Sequence, residues 1–275
     1  MKIKIISWTM LLFFILACGN FPAPTQIVIT EPVAESPTVS QSFTPIPTLT
    51  SSPPTEISAQ TIEVQISDIN ETNNEPAYTI KAQMPSLHGS DNPHVSNFNS
   101  LLNGTVTNTI NQFKNDVLAI PSDLPVSGGS FLDSQFSVIG QQDYFWSVKF
   151  DITTYYAGAA HPGHYSITLN YDLASGREIA LAELFVPGSN YLQTLSDISK
   201  TQLATRDIAF DSFSSGANPL PENFNRWNIS VDGLVITFDE YQVAPYAAGP
   251  QLVVIPFSEL QGIENTNGPL ALFAH

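Results

Sequence analysis

Residues 144–173 read YFWSVKFDITTYYAGAAHPGHYSITLNYDL. Two runs in this stretch alternate apolar and polar side chains. In the first, Phe145, Val148, Phe150 and Ile152 are interleaved with polar neighbours; the second, HYSITLNYDL, continues from His164. Successive side chains of a strand point to opposite faces, so a period of two marks a strand with a buried face. Between the runs lies AGAAHPGH, whose Gly158, Pro162 and Gly163 favour a turn. The stretch therefore predicts a hairpin, with His161 and His164 three apart at its turn.

Working outward, the same period recurs. TIEVQIS (61–67) and AYTIKAQM (77–84) predict two strands separated by a polar loop, NETNNEP (70–76). SQFSVIG (134–140) predicts another. One long helix lies between: Asn92 is a good cap, Pro93 suits the first helical position, and Ile120-Pro121 ends it. Val95, Phe98, Leu102, Val106, Ile110, Phe113 and Val117 recur at steps of three or four and build one apolar stripe. The other face is rich in Asn and Thr, weak helix formers, so packing on a sheet must hold this helix. After the turn ASG (174–176), a second helix is marked by Tyr191, Leu192, Leu195, Ile198 and Leu203. A polar, Pro-rich loop (214–225) follows. Then come the hairpin RWNIS-VDG-LVITF, with Asp232-Gly233 as a strong turn signal, and a buried strand, QLVVIPF (251–257). Regular strand–helix–strand alternation is not apparent. The expected class is α+β: an antiparallel β-sheet with two helices packed on it.

The N-terminus reads differently. Lys2 and Lys4 precede a thirteen-residue, largely apolar run from Ile5 to Ala17. That length suits a signal peptide and falls short of the roughly 20 residues that span a bilayer. The run ends ILAC, and Cys18 is the one cysteine of the chain. The pattern resembles the lipobox of bacterial lipoproteins, which implies cleavage at 17 and a lipid on Cys18. Of the forty residues from Asn20 to Ala59, twenty-one are Pro, Ser or Thr, with no glycine and no apolar period. Such a composition cannot bury enough surface to offset its ordering entropy, so 18–59 is expected to be a disordered tether. The domain is expected over 60–275, at the membrane's extracytoplasmic face.

Charge narrows the partners. The chain carries a formal net charge of −16. Over 60–275, seven Lys or Arg stand against twenty-two Asp or Glu, an excess of fifteen negative charges. This argues against nucleic acid and favours cationic partners or solubility. With its single cysteine at the leader's end, the domain must be stable through its core.

Two blocks carry a family resemblance. GAAHPGHYSITLNYDLASGREIALAELF (158–185) and WNISVDGLVITFDEYQVAPYAAGPQLVVIPFSEL (227–260) resemble the RsiV-like extracytoplasmic domain family. Its members occur in lysozyme-sensing anti-sigma factors and beside the catalytic domain of some peptidoglycan deacetylases. The similarity spans roughly 62–262 and implies an α+β fold. An anti-sigma factor of this type has a cytoplasmic segment before its membrane helix, whereas four residues precede the apolar run here. A deacetylase has a catalytic domain after this one, whereas here the chain stops soon after the last family strand. The resemblance thus implies a stand-alone sensing or binding module, with lysozyme or peptidoglycan as partner.

Candidate chemistry follows. A pair of histidines with two residues between them can ligate zinc, so His161, His164 and Asp172 form the possible metal or acid–base set of a hydrolase or deacetylase. Pro-Gly between the histidines forces a turn, which does not aim both rings at one point as a helix face would, and neither metal nor cofactor is expected. There is no G-x-S-x-G element and no Cys–His pair. Asp239 and Glu240 are adjacent, and adjacent residues of a strand face opposite ways, so they read as strand-end charge. The preferred site is the loop EYQVAPYAAGP (240–250), where Tyr241, Pro245 and Tyr246 offer rigid contact area at small entropic cost. Tyr155, Tyr156 and His161 extend this expected binding set, and His161, in the family's Ala-Ala-His-Pro turn, is expected to matter more to the fold than His164.

Overall fold

The computed structural model describes residues 62–121 and 128–273. The leader, Cys18 and the whole expected tether (18–59) lie outside the described residues. Strands β1 (Glu63–Asn74) and β2 (Ala77–His88) form a hairpin, followed by helix α1 (Pro93–Leu118). Strands β3 (Ser130–Gln142), β4 (Phe145–Tyr155), β5 (Gly163–Asp172) and the short β6 (Arg177–Glu178) complete a six-stranded sheet in chain order. Helix α2 (Tyr191–Ala204) then leads through short 3-10 turns to a three-stranded sheet of β7 (Trp227–Ser230), β8 (Gly233–Phe238) and β9 (Gln251–Ile255). A last turn of helix, α3 (Leu270–Phe273), closes the chain.

The class is α+β with mostly antiparallel pairing, as the periodicity predicts. One pair departs from it. β2 and β3 run parallel, Tyr78 opposite Ser130 through Ala82 opposite Ser134. Parallel neighbours need a crossover of a dozen or more residues, and α1 supplies it, so one strand–helix–strand unit sits inside a sheet otherwise built of hairpins. The expected loop NETNNEP is also mostly strand: Asn70 to Asn74 continue β1 and pair with Lys81 down to Ala77. β1 lies at the sheet's edge, and none of Asn70 to Asn74 is fully buried, so this end of the strand needs no apolar alternation.

Asn92 caps α1 as expected. Its Oδ1 accepts from the His94 amide at 2.9 Å, and its Nδ2 donates to the Leu173 carbonyl at 3.0 Å. All seven residues of the predicted stripe are buried. They form the first core with Leu132, Trp146, Val148, Phe150, Ile152, Leu169 and Tyr171. Phe98 stacks on Tyr171 with centroids 4.6 Å apart and planes 12° apart. The Thr105 and Thr109 hydroxyls bond back to carbonyls one turn earlier, a habit that weakens an isolated helix; tertiary packing holds α1.

The opposite face of β4 and β5 carries the three-stranded sheet. Ser147 and Asn170, directly opposite in register, are both buried. Ser147 Oγ donates to Asn170 Oδ1 at 2.6 Å and accepts from Asn228 Nδ2 and the Ile229 amide, each at 2.9 Å. Asn170 Nδ2 donates to the Trp227 carbonyl at 2.8 Å. These bonds fasten β7 across the larger sheet. Nearby, β3 shifts register between Val138 and Gly140, and a Cβ on Gly140 would lie 2.1 Å from the Ile229 carbonyl oxygen. Beyond this joint a second core gathers Phe145, Phe185, Leu195, Phe224, Phe238, Val253 and Ile255. Phe145 therefore faces away from Val148, Phe150 and Ile152, because each face of β4 has its own core.

Candidate functional site: the turn of the β4–β5 hairpin and the loop after β8

β4 and β5 meet at a turn that carries His161 and Pro162, and the chain leaving β8 crosses this turn. The crossing rests on two carboxylates. Glu240 Oε2 accepts from the His164 amide at 3.1 Å, and Asp239 Oδ1 accepts from the Ser166 amide at 3.2 Å. Both satisfy donors on the free edge of β5. Arg226 completes the clamp: Nε donates to the Ser166 carbonyl at 2.9 Å and lies 2.8 Å from Asp239 Oδ2. Glu240 also reaches the His164 ring, with Oε1 and Nδ1 2.5 Å apart. The Glu240 side chain is only 8% exposed, so the pairing takes place largely out of water.

Three rings assemble over this clamp. Tyr246 stacks on His161 with centroids 3.8 Å apart and planes at 30°, and its hydroxyl donates to the Pro162 carbonyl at 2.9 Å. Tyr241 sits 5.8 Å from Tyr246, and its hydroxyl is 3.3 Å from His161 Nε2. Its backbone adopts a φ of 64°, a conformation that L-residues avoid because Cβ crowds the backbone. Tyr241 is nevertheless 55% exposed. Backbone strain that presents an exposed aromatic ring is of the kind that concentrates at functional sites.

Beside the rings lies a cleft of about 340 Å³, lined by Asp151, Thr153, His164, Ser166, Glu240 and Tyr246 among others. That volume is at the small end of the range of ligand sites. The period of two explains the lining: Asp151 and Thr153 share a face of β4 and stand opposite Ser166 and His164 on β5. Asp151 Oδ1 receives the Ser166 hydroxyl and the Lys149 ammonium, each at 3.0 Å. Burial pushes the Asp239 carboxyl above the ordinary carboxylate range; Arg226 and the Ser166 amide pull it down, while Glu240 and Asp151 add to the rise. Burial and the neighbouring negative charges prevail there over the ion pair.

Of the residues singled out in the sequence, His161, Tyr241 and Tyr246 come together, with His164 alongside. Pro245 precedes Tyr246 as the extended residue before a 3-10 turn. Tyr155, the last residue of β4, and Tyr156, just past it, go elsewhere. Tyr155 stacks on Phe131, and the Tyr156 hydroxyl donates to Asp116 Oδ2 at 2.9 Å; burial and that carboxylate hold the Tyr156 phenol well above its usual range. Asp172 sits at the far end of β5 from His164 and bonds to Ala174 and Ser175 of the next turn, so the set His161, His164 and Asp172 is not gathered. Among the described residues no three His, Cys, Asp or Glu are grouped to hold a metal ion.

Two readings of the residues need correction. Asp239 and Glu240 do not face opposite ways, because both lie past the end of β8, and both reach β5. His164, rather than His161, is tied to a buried partner. Ser166 and Arg226 carry no signal in the sequence: Ser166 is found only by its register opposite Asp151, the aspartate that strand pairing does bring alongside His164, and Arg226 only by its bonds to Ser166 and Asp239.

The loop that supplies Asp239 to Pro250 lies in a stretch that matches a sequence-family model. Residues 182–258 match the family described as "Protein of unknown function (DUF3298)". The DUF3298 segment covers α2, the three-stranded sheet and the tyrosine loop; the β4–β5 turn lies before it. Two bacterial proteins are similar over part of their length. The peptidoglycan-N-acetylmuramic acid deacetylase PdaC of Bacillus subtilis is 35% identical over 111 residues, 39% of this chain and 24% of that protein. An esterase of Mycobacterium tuberculosis is 29% identical over 104 residues, 38% of this chain and 45% of that protein. The chain thus spans less than half the length of either relative. Two crystal structures of DUF3298 family members share the fold. The one from Bacteroides fragilis superposes with a TM-score of 0.62 at 17% identity, over 78% of this chain and 98% of that one. The one from Pseudomonas aeruginosa gives 0.50 at 18%, over 76% and 96%. Among the described residues no helix is long and apolar enough to cross a membrane.

Proposed function

We propose that this chain is a non-catalytic binding module of the cell envelope, anchored on the extracytoplasmic face through a lipid on Cys18, and that the His161–Tyr241–Tyr246 face contacts a cell-wall component. The observation that carries this reading is the ring cluster itself: an exposed tyrosine on strained backbone, beside a tyrosine stacked on histidine, at the mouth of a cleft. Tyrosine faces give contact area with little rotamer entropy to lose, and loops on a rigid sheet are where recognition concentrates. The similarity to a protein named for peptidoglycan deacetylation and the resemblance to RsiV-like domains support an envelope ligand. The chemistry of the cleft also favours binding over turnover. Its serine hydroxyl, Ser166, donates to Asp151, and His164 Nδ1 faces Glu240.

A second reading, a cationic protein such as lysozyme as the ligand, is favoured by the fifteen excess negative charges of 60–275. One experiment serves both: the full chain in detergent, titrated onto immobilised peptidoglycan and onto immobilised lysozyme at two salt concentrations. Tyr241→Ala should weaken binding by about tenfold, or about 1.4 kcal/mol, at either salt. Attraction by bulk charge alone would vanish with added salt and ignore the substitution. Retention of wild-type affinity in Tyr241→Ala and Tyr246→Ala together removes the ring cluster as the contact surface, and no binding to either material removes the proposal.

A further inference from the structure

The free edges of the two sheets are treated unequally. An unpaired edge presents a row of backbone donors and acceptors to any passing strand, and proteins ordinarily close or blunt it. Three edges here are closed by side chains. On β5, Glu240 and Asp239 accept from the His164 and Ser166 amides, and Arg226 donates to the Ser166 carbonyl. On β7, Asn170 donates to the Trp227 carbonyl and Ser147 accepts from the Ile229 amide. On β9, Gln202 and Arg206 of the α2 region donate to the carbonyls of Val254 and Leu252 at 2.8 and 2.7 Å. β6 is only two residues long.

β1 is the exception. It runs for twelve residues, Glu63–Asn74, a length of roughly 40 Å at the usual rise of a strand. Its register with β2 is unbroken from Glu63 opposite His88 to Asn74 opposite Ala77, so no bulge twists the edge away. It contains no proline and no lysine. Among the described residues, the one side-chain bond to its backbone comes from its own partner strand, Ser86 Oγ to the Gln65 carbonyl at 3.5 Å.

We propose that the outer edge of β1 takes up an extended, basic segment of another polypeptide as a seventh strand of the larger sheet. Main-chain bonds would supply the pairing, as in other strand-addition complexes, and charge selects the partner. The charged side chains of β1 are Glu63, Asp68 and Glu71. Glu71 is held by Lys114 at 2.6 Å, which leaves Glu63 and Asp68, both exposed, one on each face of the sheet, so that a partner strand with lysines along one of its faces meets one of them. Opposite charges across a strand pair stabilise it and like charges oppose it. Asp68, in mid-strand, therefore works against a second copy of this acidic chain and for lysine or arginine opposite it. This edge is separate from the ring cluster, and the proposal stands independently of the one above.

The test is amide hydrogen exchange on the full chain, alone and with a twelve-residue peptide of alternating valine and lysine; a valine–glutamate peptide is the control. With the lysine peptide, every second amide of 63–74, the set that points away from β2, should slow by about tenfold or more. At low salt the lysine peptide should bind at least about tenfold more tightly than the control, and the gap should narrow as salt rises. Glu63→Lys with Asp68→Lys should reverse the preference while leaving thermal stability unchanged, since both side chains are exposed. Three results would overturn the proposal. Binding that leaves the β1 amides unslowed places the peptide elsewhere. Alternate β1 amides already slow in the dilute chain mean that its own residues cover the edge. Protection that grows with protein concentration without peptide means a second copy does.

Discussion

Replacing Asn170 with alanine should loosen the joint between the two sheets, and the size of the effect follows from its bonds. Asn170 is 4% exposed. Its amide gives the Trp227 carbonyl a donor and the Ser147 hydroxyl an acceptor, at 2.8 and 2.6 Å. Truncation leaves both groups buried and short of a partner, each at about 1–3 kcal/mol. A total of about 3 kcal/mol is expected, which lowers the melting temperature of a domain this size by roughly 6–12 °C. Asn170→Asp should be at least as damaging, because a carboxylate would then face the Trp227 carbonyl in a dry interior. Urea unfolding followed by tryptophan fluorescence and circular dichroism measures the loss. A double-mutant cycle with Ser147→Ala isolates the joint: the two losses should fall short of additivity by about 1 kcal/mol or more, since each removes the same bond. A change within about 0.5 kcal/mol for Asn170→Ala, the range of ordinary surface substitutions, would refute the account, as would strict additivity.

Other substitutions test other parts. Gly140→Ala puts a Cβ 2.1 Å from the Ile229 carbonyl oxygen; because the obstacle is backbone, β3 and β7 must part, and chemical denaturation should show a loss of about 2 kcal/mol or more. Tyr241→Gly removes a side chain from a φ of 64°, so it should leave stability unchanged or raised by up to about 1 kcal/mol while weakening envelope binding, both read on one purified variant. Arg177 and the Ala180 amide hold the Glu183 carboxyl below its ordinary value of 4.5. A depressed carboxyl stabilises the fold above that value and loses the contribution as pH falls from it through the lowered folded-state pKa. Stability measured against pH should therefore lose part of its acid-side slope in Glu183→Gln, with a lower neutral plateau that converges on the wild-type curve in acid.

The strongly periodic elements were legible in the sequence. Alternation marked β4 and β5, and a capped stripe marked α1, because burial on a face imposes its period on the residues. Where burial relaxes, so does the signal. The Asn-rich end of β1 reads as a loop since its edge position asks for no apolar face. Partner choice was hidden too, because β2 and β3 are recognisable as strands but nothing local in them states that they run parallel. At the site, sequence pointed to the tyrosine loop and the histidine turn separately, and only the fold brings Tyr246 onto His161. The adjacent carboxylates misled because strand alternation stops where β8 ends. Tyr155 and Tyr156 misled the other way: proximity in sequence placed them with the site, but Tyr155 stacks on Phe131 of β3 and Tyr156, just past the end of β4, turns to Asp116 of α1.

The parallel seam between β2 and β3 sets the order in which this chain can assemble. Hairpins such as β1–β2 and β3–β4 close over a few residues, on a time scale of microseconds. The seam cannot follow until the 26-residue α1 has spanned the gap, since its two strands lie on opposite sides of that helix and contacts of such separation pay their loop entropy before any pairing rewards it. Once the seam has closed, the apolar stripe of α1 has a floor to pack on. The polar helix that looks weakest on propensity is thus the clock of folding, and the moment at which it docks is the moment at which two half-sheets become one.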